Sequence, residues 1–171
     1  PRPELADGGV NAASRFSIRE EVAQVERGHF GIGVEHSKCE INIGTLWRSA
    51  QILGANYIFT IGRRYDRQIT DVLKSWRHVP LFHFRRFEEF FEAMPRESLL
   101  IGVELDPRAQ PIAEFTHPER ATYLLGAEDH GLTKIAREKC HTIIQLPGGR
   151  SLNVATAGSV VMFDRHQKRF A

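Results

Sequence analysis

Three short polar islands in this sequence carry residue types that do chemistry. The first, Asn42-Ile-Gly-Thr-Leu-Trp-Arg48, joins an amide to a guanidinium. Helical spacing puts Gly44, Thr45 and Arg48 on one face. Glycine is disfavoured inside a helix by about 1 kcal/mol relative to alanine, so something packs close at Gly44. A helix–helix contact there, with a surface ion pair for Arg48, explains the island equally well. The second island, Gly126-Ala-Glu128-Asp-His-Gly131, follows an apolar run. A glycine at a strand end admits a ligand to the backbone. Glu128 just beyond it is suited to a sugar hydroxyl, a sulfonium or an arginine; an acidic turn before a helix has the same composition. The third island runs from Leu146-Pro-Gly-Gly through Arg150-Ser151-Leu152-Asn153 into Ala155, Ala157, Gly158 and Ser159. Ser151 and Asn153 have the ordinary role of helix capping. The small residues allow a second backbone to approach, either within the chain or at a subunit interface.

These islands need elements to hold them, and the hydrophobic pattern supplies them. Residues 28–36 read as a strand with glycines and 41–55 as a helix with Ile43, Leu46, Trp47, Ala50 and Leu53 on one side, Asn42 being its expected N-cap. Strands are expected over 57–62, in the run Pro80–Phe84, and over 98–105, 121–128 and 141–147. Helices are expected over 66–77, 87–94, 133–140 with Thr133 as cap, and 152–170. The stretch with Pro107, Pro111 and Pro118 reads as loop. Strands alternating with helices, several of them continuous apolar runs, predict an α/β fold: a mostly parallel sheet with helices on both faces. Ligand sites in such sheets lie at the carboxyl ends of strands, where the three islands fall.

The chain has 171 residues, 42% hydrophobic and 26% charged, which fits one globular domain over 16–171 behind a loose, polar tail at 1–15. No apolar run is long enough to span a bilayer, and the N-terminus lacks the apolar core of a secretory signal, so a cytoplasmic protein without a membrane partner is expected. An initiator Met is absent, as in a numbering that begins inside a longer gene product. Cys39 and Cys140 are far apart and read as reduced thiols. Gly31-Ile-Gly33 lacks the third glycine of a dinucleotide fingerprint, and Gly126 to Gly131 is followed by Leu132-Thr133 where a P-loop needs Lys-Ser/Thr. No HExxH or other metal spacing occurs among the eight histidines, and no G-x-S-x-G is present. Net charge is only +2, but residues 63–86 hold seven Lys/Arg against two Asp. Such a cluster suits a phosphate-bearing partner, but on charge alone a solvated face with scattered ion pairs is the better reading.

Taken in order, the islands resemble the SpoU/TrmH branch of the SPOUT RNA methyltransferases. The family motifs read as Asn-x-Gly with Arg six residues after the Asn, Gly-x-Glu-x-x-Gly-Leu, and Ile-Pro followed by Ser-Leu-Asn and a small-residue helix. Here they stand as NIGTLWRSAQILGA, LLGAEDHGL and IIQLPGGRSLNVATAGSVVMF, and the similarity covers about residues 30 to 168. Ala127 replaces a frequent Asn, Leu146 replaces Ile before the Pro, and Gly148-Gly149 replaces a longer turn.

The resemblance implies a C-terminal trefoil knot, a homodimer and S-adenosyl-L-methionine as cofactor. It also implies methyl transfer to a ribose 2′-hydroxyl of RNA, with tRNA the first choice of substrate and rRNA the second. On the same basis Arg48, Asn42, Glu128, Ser151 and Asn153 are the expected catalytic set, Arg48 acting in the partner subunit's site. Glu104, Gly126, Ile144, Leu146, Ser151 and Leu152 are the expected cofactor-binding set. Arg63, Arg64 and Arg150 are expected to bind RNA, with Arg165, Lys168 and Arg169 extending the track and Tyr65 and Trp76 stacking on bases. A guanidinium rarely gives up its proton, its pKa lying above about 12. Arg48 therefore suits stabilisation of oxyanion charge better than proton removal. Two other classes remain open: a non-catalytic RNA-binding protein of the same fold, and a small-metabolite α/β enzyme, which the missing phosphate-binding glycines disfavour.

Overall fold

Alternating side chains along each central strand divide the apolar residues between the two faces of one sheet. The computed structural model describes residues 29–65 and 75–170, without the side chains of Trp76 and Phe170. Its elements are β1 (Phe30–Glu35), α1 (Glu40–Ile52), β2 (Tyr57–Ile61), a 3-10 turn (Ser75–Arg77), β3 (Leu81–Phe84), α2 (Phe87–Ala93) and β4 (Leu99–Val103). They continue with β5 (Gln110–Pro111), a second 3-10 turn (Ile112–Glu114), β6 (Ala121–Leu125), α3 (Lys134–Lys139), β7 (Thr142–Gln145) and α4 (Val154–Phe170). The strands lie in the order β3-β2-β1-β6-β4-β7-β5, and every neighbouring pair is parallel. This is the mostly parallel, two-faced sheet that the apolar runs predict.

Helices α1 and α4 cover one face, over Ile32, Ile58, Ile101, Tyr123 and Leu125. Helices α2 and α3 cover the other, over Phe59, Ile61, Leu100 and Leu124. The second face is tied down by aromatic packing, with the Phe59 and Phe90 rings stacked at 4.3 Å. Each fully buried Leu, Ile or Phe of these layers stabilises the fold by roughly 1.5–3 kcal/mol. The glycines of the rejected dinucleotide motif have a packing role: a Cβ at Gly31 or Gly33 would strike the side chain of Tyr57 or Phe59 on β2.

Helix α1 buries Ile43, Leu46, Trp47 and Ala50, as its periodicity predicts. Its end is a Schellman motif: Gly54 takes φ 83° and the Ala55 N–H returns to the Ala50 carbonyl at 2.9 Å. Its start corrects the sequence expectation. Cys39, not Asn42, is the N-cap residue, and it makes no side-chain cap bond. Asn42 sits inside the helix because its amide is engaged elsewhere. Helix α4 packs beside α1 through the small-residue stripe; a Cβ at Gly158 would lie 2.3 Å from Leu46 Cδ1, and Ser159 Oγ bonds Ser49 Oγ at 2.8 Å. The stripe thus makes a contact within the chain.

Two loop regions differ from expectation. The proline-containing stretch after β4 contains β5, which pairs with the edge of β7. Of the helix expected over 66–77, residues 66–74 lie outside the described residues and Ser75–Arg77 forms a single 3-10 turn that Pro80 follows. The tail expected at 1–15 also lies outside them. From β1 the chain steps to β2 and β3 on one side, while β6, β4 and β7 lie on the other. The crevice at the carboxyl ends of β1 and β6 is therefore a topological switch point, the usual seat of a ligand.

Candidate active site

The loop leaving β6 is closed on itself. Ala127 and Gly131 exchange backbone hydrogen bonds of 3.2 and 2.9 Å, and Gly131 takes φ 65°. Gly126 must be glycine: a Cβ there would lie 2.2 Å from the Gly131 carbonyl carbon and 2.3 Å from Leu132 N. Two carboxylates hold the segment that leads from this turn into α3. Glu104, just past β4, accepts the Leu132 N–H at 2.7 Å and the Leu105 N–H at 3.0 Å. Glu35, the last residue of β1, is 1% exposed and accepts both the N–H and the hydroxyl of Thr133, at 2.8 and 2.7 Å. Thr133 in turn caps α3, as its position predicts. Sequence reasoning missed Glu35; the available signal was a carboxylate closing an otherwise apolar strand, which must find donors when buried.

A polar relay crosses the switch point. Glu128 Oε1 accepts from Asn42 Nδ2 at 2.7 Å and from Ser37 Oγ at 3.4 Å. Asn42 Oδ1 accepts from Asn153 Nδ2 at 2.9 Å, and Asn153 Oδ1 accepts the N–H groups of Ala155 and Thr156. Each amide's orientation follows from chemistry. An ionised carboxylate only accepts, so Asn42 must turn its NH2 toward Glu128, and its oxygen is left for Asn153. Asn153 is the N-terminal cap of α4 by the same logic. The three islands are thereby joined through side chains: Asn42 from the first, Glu128 from the second, Asn153 from the third. The β1–α1 loop is also tied to the β6–α3 loop by the Lys38–Asp129 ion pair.

Beside the relay, at the carboxyl ends of β4, β6 and β7, lies an open cleft of about 520 Å³. Its walls are apolar, from Val103, Leu125, Leu146, Leu152, Val154 and Ala157, with Glu104, Glu128, Arg150 and Ser151 as the charged and polar side chains. Its apolar walls and few polar groups suit a ligand with an apolar body. Of the expected cofactor-binding residues, Glu104, Gly126, Leu146, Ser151 and Leu152 line this cleft. Ile144 lies beneath it, fully buried in β7, with its carbonyl accepting the Glu104 N–H at 3.0 Å. Arg150, expected on the RNA track, lines the cleft as well.

Arg48 stands apart. Six residues of helix place it about 120° around α1 from Asn42. It is exposed, does not line the cleft, and makes no hydrogen bond or ion pair among the described residues. Its neighbours on that stripe are Ile41 (55% exposed), Thr45 and Ile52 (65% exposed), and the adjacent α4 presents Val160 and Phe163.

The expected RNA track divides. Arg63 and Arg64 are exposed at the end of β2, where they border a smaller hollow of about 230 Å³ with Ser37, Thr60 and Tyr65. Arg63 bonds the Lys38 carbonyl at 2.8 Å and lies 3.6 Å from Glu40. The neighbouring His83 imidazole is held below its ordinary value by desolvation and by the charges of Arg64 and Arg85. Tyr65 does not face bases; it is buried edge-on against Trp47, because an aromatic ring beside α1 gains more in the core. The Trp76 side chain lies outside the described residues. Arg165 is a core residue, 2% exposed, with its guanidinium on the Pro118 and Glu119 carbonyls at 2.7 Å and over the Phe30 ring at 4.9 Å. Lys168 and Arg169 are likewise engaged, with the carbonyls of Phe115 and Glu119 among their partners. A C-terminal helix docked across the 112–119 loop uses these cations to satisfy backbone carbonyls.

The sequence profile described as the SpoU rRNA Methylase family matches residues 30–163, which include every residue of the relay and the cleft. The chain belongs to the SpoU rRNA methylase family. An uncharacterized tRNA/rRNA methyltransferase of Mycobacterium bovis is 31% identical over 170 residues, covering 92% of this chain and 59% of the relative. The 23S rRNA (guanosine-2'-O-)-methyltransferase RlmB of Acinetobacter baylyi is 24% identical, over 60% of this chain and 37% of its own. Among solved structures, the SpoU methyltransferase AviRb from Streptomyces viridochromogenes, in complex with the cofactor AdoMet, superposes with a TM-score of 0.73 at 22% identity, covering 86% of this chain and 60% of that one. The chain thus spans roughly a third to three-fifths of the length of these proteins. Among the described residues no helix is long and apolar enough to cross a membrane, and no group of ligand-type side chains is arranged to hold a metal.

Proposed function

We propose that this SpoU-family chain transfers a methyl group from S-adenosyl-L-methionine to a ribose 2′-hydroxyl of RNA. The observation that carries the reading is the relay Asn153–Asn42–Glu128 at the edge of the cleft, which unites the three polar islands on one side of an apolar pocket. The cofactor fits the residues present: the cleft is open, its apolar walls suit an adenosyl body, and Glu104, Glu128 and Ser151 supply polar groups for its hydroxyl and amino-acid ends. When bound it supplies a methyl group already activated on a sulfonium, so the protein's contribution is positioning and charge stabilisation. Glu128, fixed through Asn42, faces the cleft with a carboxylate suited to orient a sugar hydroxyl or a guanidinium. Ser151 and Leu152 close the cleft from the α4 side.

Arg48 completes the site from a second copy of the chain. That Arg48 has no partner among the described residues, and stands between exposed Ile41 and Ile52 beside exposed Val160 and Phe163, supports a face that another subunit covers. A homodimer built on α1 and α4 carries Arg48 into the partner's cleft, where it stabilises the developing oxyanion. The gathering of the 146–153 turn and α4 around one cleft supports the C-terminal trefoil knot that the family resemblance implies. Arg63 and Arg64 guide the RNA phosphates. Transfer RNA is the preferred substrate and ribosomal RNA the second, the M. bovis relative being named for both and RlmB for the latter.

Incubation with labelled S-adenosyl-L-methionine and total RNA, followed by nucleoside analysis, tests this. Label in 2′-O-methylnucleosides of the tRNA fraction is expected. Label confined to bases, or none, overturns the assignment.

A further inference from the structure

Glu104 is a carboxylate in the cleft that the relay does not use. Both of its oxygens already accept one backbone N–H, Oε2 from Leu132 at 2.7 Å and Oε1 from Leu105 at 3.0 Å. Each carboxylate oxygen can accept a second hydrogen bond, so two acceptor sites remain, held in a fixed plane at the cleft wall. The two backbone bonds remove the rotational freedom that an exposed glutamate otherwise loses on binding. The missing side chain at Gly131 permits this placement, since a Cβ there would lie 2.1 Å from Glu104 Oε2.

Topology says which part of a ligand meets it. The sheet order puts β1 on one side of β6 and β4 on the other. Glu128 is drawn toward the β1 side by Ser37 and Asn42, whereas Glu104 enters from the β4 side. The reactive end of a bound donor must face the relay, where the acceptor hydroxyl is oriented. The remainder of the donor then extends toward Glu104. A vicinal diol is the group whose two donors match two coplanar carboxylate oxygens, the same pairing by which an acidic residue reads a ribose in nucleotide sites.

We infer that Glu104 is a specificity-determining residue that reads the ribose diol of the adenosyl donor and, through Leu132, couples that reading to the shape of the Gly126–Gly131 turn. The inference rests on the cleft being the donor site. Hydrogen bonds to a charged acceptor predict that removing the diol weakens binding by about tenfold to a hundredfold.

The test is calorimetric and uses no RNA. S-adenosylhomocysteine and its 2′,3′-dideoxy analogue are titrated into the wild-type chain, Glu104→Leu and Glu104→Gln, with the melting temperature of each recorded. The expected result, read as the ratio of the two affinities within each protein so that any shift of the 131–132 wall cancels, is strong discrimination by the wild type, collapsing to within about threefold in Glu104→Leu and reduced in Glu104→Gln. Wild-type binding of both compounds within about threefold overturns the proposal without any variant. So does full discrimination retained by Glu104→Gln, which still decides the matter if Glu104→Leu does not fold. Failure of the wild type to bind S-adenosylhomocysteine at all instead removes the cofactor reading itself, and the inference with it.

Discussion

Replacing Gly126 by alanine puts one methyl group where the fold has no room. The new Cβ would lie 2.2 Å from the Gly131 carbonyl carbon and 2.3 Å from Leu132 N, both backbone atoms that no rotamer change can move. To reach ordinary contact the 131–132 segment must retreat by about 1.2 Å, given the 3.4 Å lower bound of such contacts. That movement stretches the 2.7 Å bond between Leu132 N–H and Glu104 beyond hydrogen-bonding length and opens the Ala127–Gly131 bridge. Overpacking of this kind costs roughly 1–3 kcal/mol, and a broken bond to a half-exposed carboxylate adds about 1 kcal/mol, for a total near 2–4 kcal/mol. In a domain of this size that lowers the melting temperature by about 4–16 °C. Binding of S-adenosylhomocysteine falls at least about tenfold, because the displaced segment is the cleft wall. Gly149→Ala is the matched control: nothing lies within 4 Å of a Cβ there, so its stability stays within about 0.5 kcal/mol of wild type. Circular-dichroism melts and calorimetry on the three proteins read both effects. A Gly126→Ala protein melting within about 1 °C of wild type and binding normally would refute the reasoning, since the turn would then yield freely.

Other expectations rest on the same geometry. Arg48→Ala lowers methyl transfer by about a hundredfold or more while leaving S-adenosylhomocysteine affinity nearly unchanged; near-normal turnover in nucleoside analysis removes Arg48 from the chemistry. The double change Arg63→Ala and Arg64→Ala weakens RNA binding and lowers the slope of log affinity against log salt by about 0.7–0.9 for each phosphate left without its arginine, and an unchanged slope in filter-binding assays takes them off the track. His117 is buried between Tyr123 and Asp164, and burial holds its imidazole below the ordinary value despite the Asp164 contact. Below an unfolded-state pKa of about 6.5 the unfolded chain therefore takes up the extra proton, so this contribution is complete above that pH and is lost as pH falls through it. Melting temperatures between pH 7.5 and 5.5 are accordingly expected to fall more steeply for wild type than for His117→Gln, and parallel slopes contradict this. Cys140, whose thiol burial pushes up to about 12, resists disulfide reagents at pH 8, while exposed Cys39 reacts; a native protein titrating two thiols at once is inconsistent with that burial.

The sequence by itself determined the class of sheet, because apolar runs such as 121–125 and 98–103 have no polar face and must be covered on both sides. It also determined which side of α1 faces inward and where α3 begins, since periodicity and a capping threonine are local properties. The three islands were legible as residue types, and their order carried the family resemblance. Tertiary structure decided how the islands meet. Asn42 reads locally as a helix cap, yet a carboxylate 86 residues away claims its amide, and no pattern within a helix turn encodes that partner. Glu35 and Thr133 find each other across 98 residues for the same reason. Arg165, Lys168 and Arg169 read as a basic surface because charge usually stays in water; a docked loop with bare carbonyls reverses that preference. Local sequence sets backbone preference and the inward face of each element, whereas the partner of a polar side chain depends on which distant segment the folded sheet brings within about 3 Å of it.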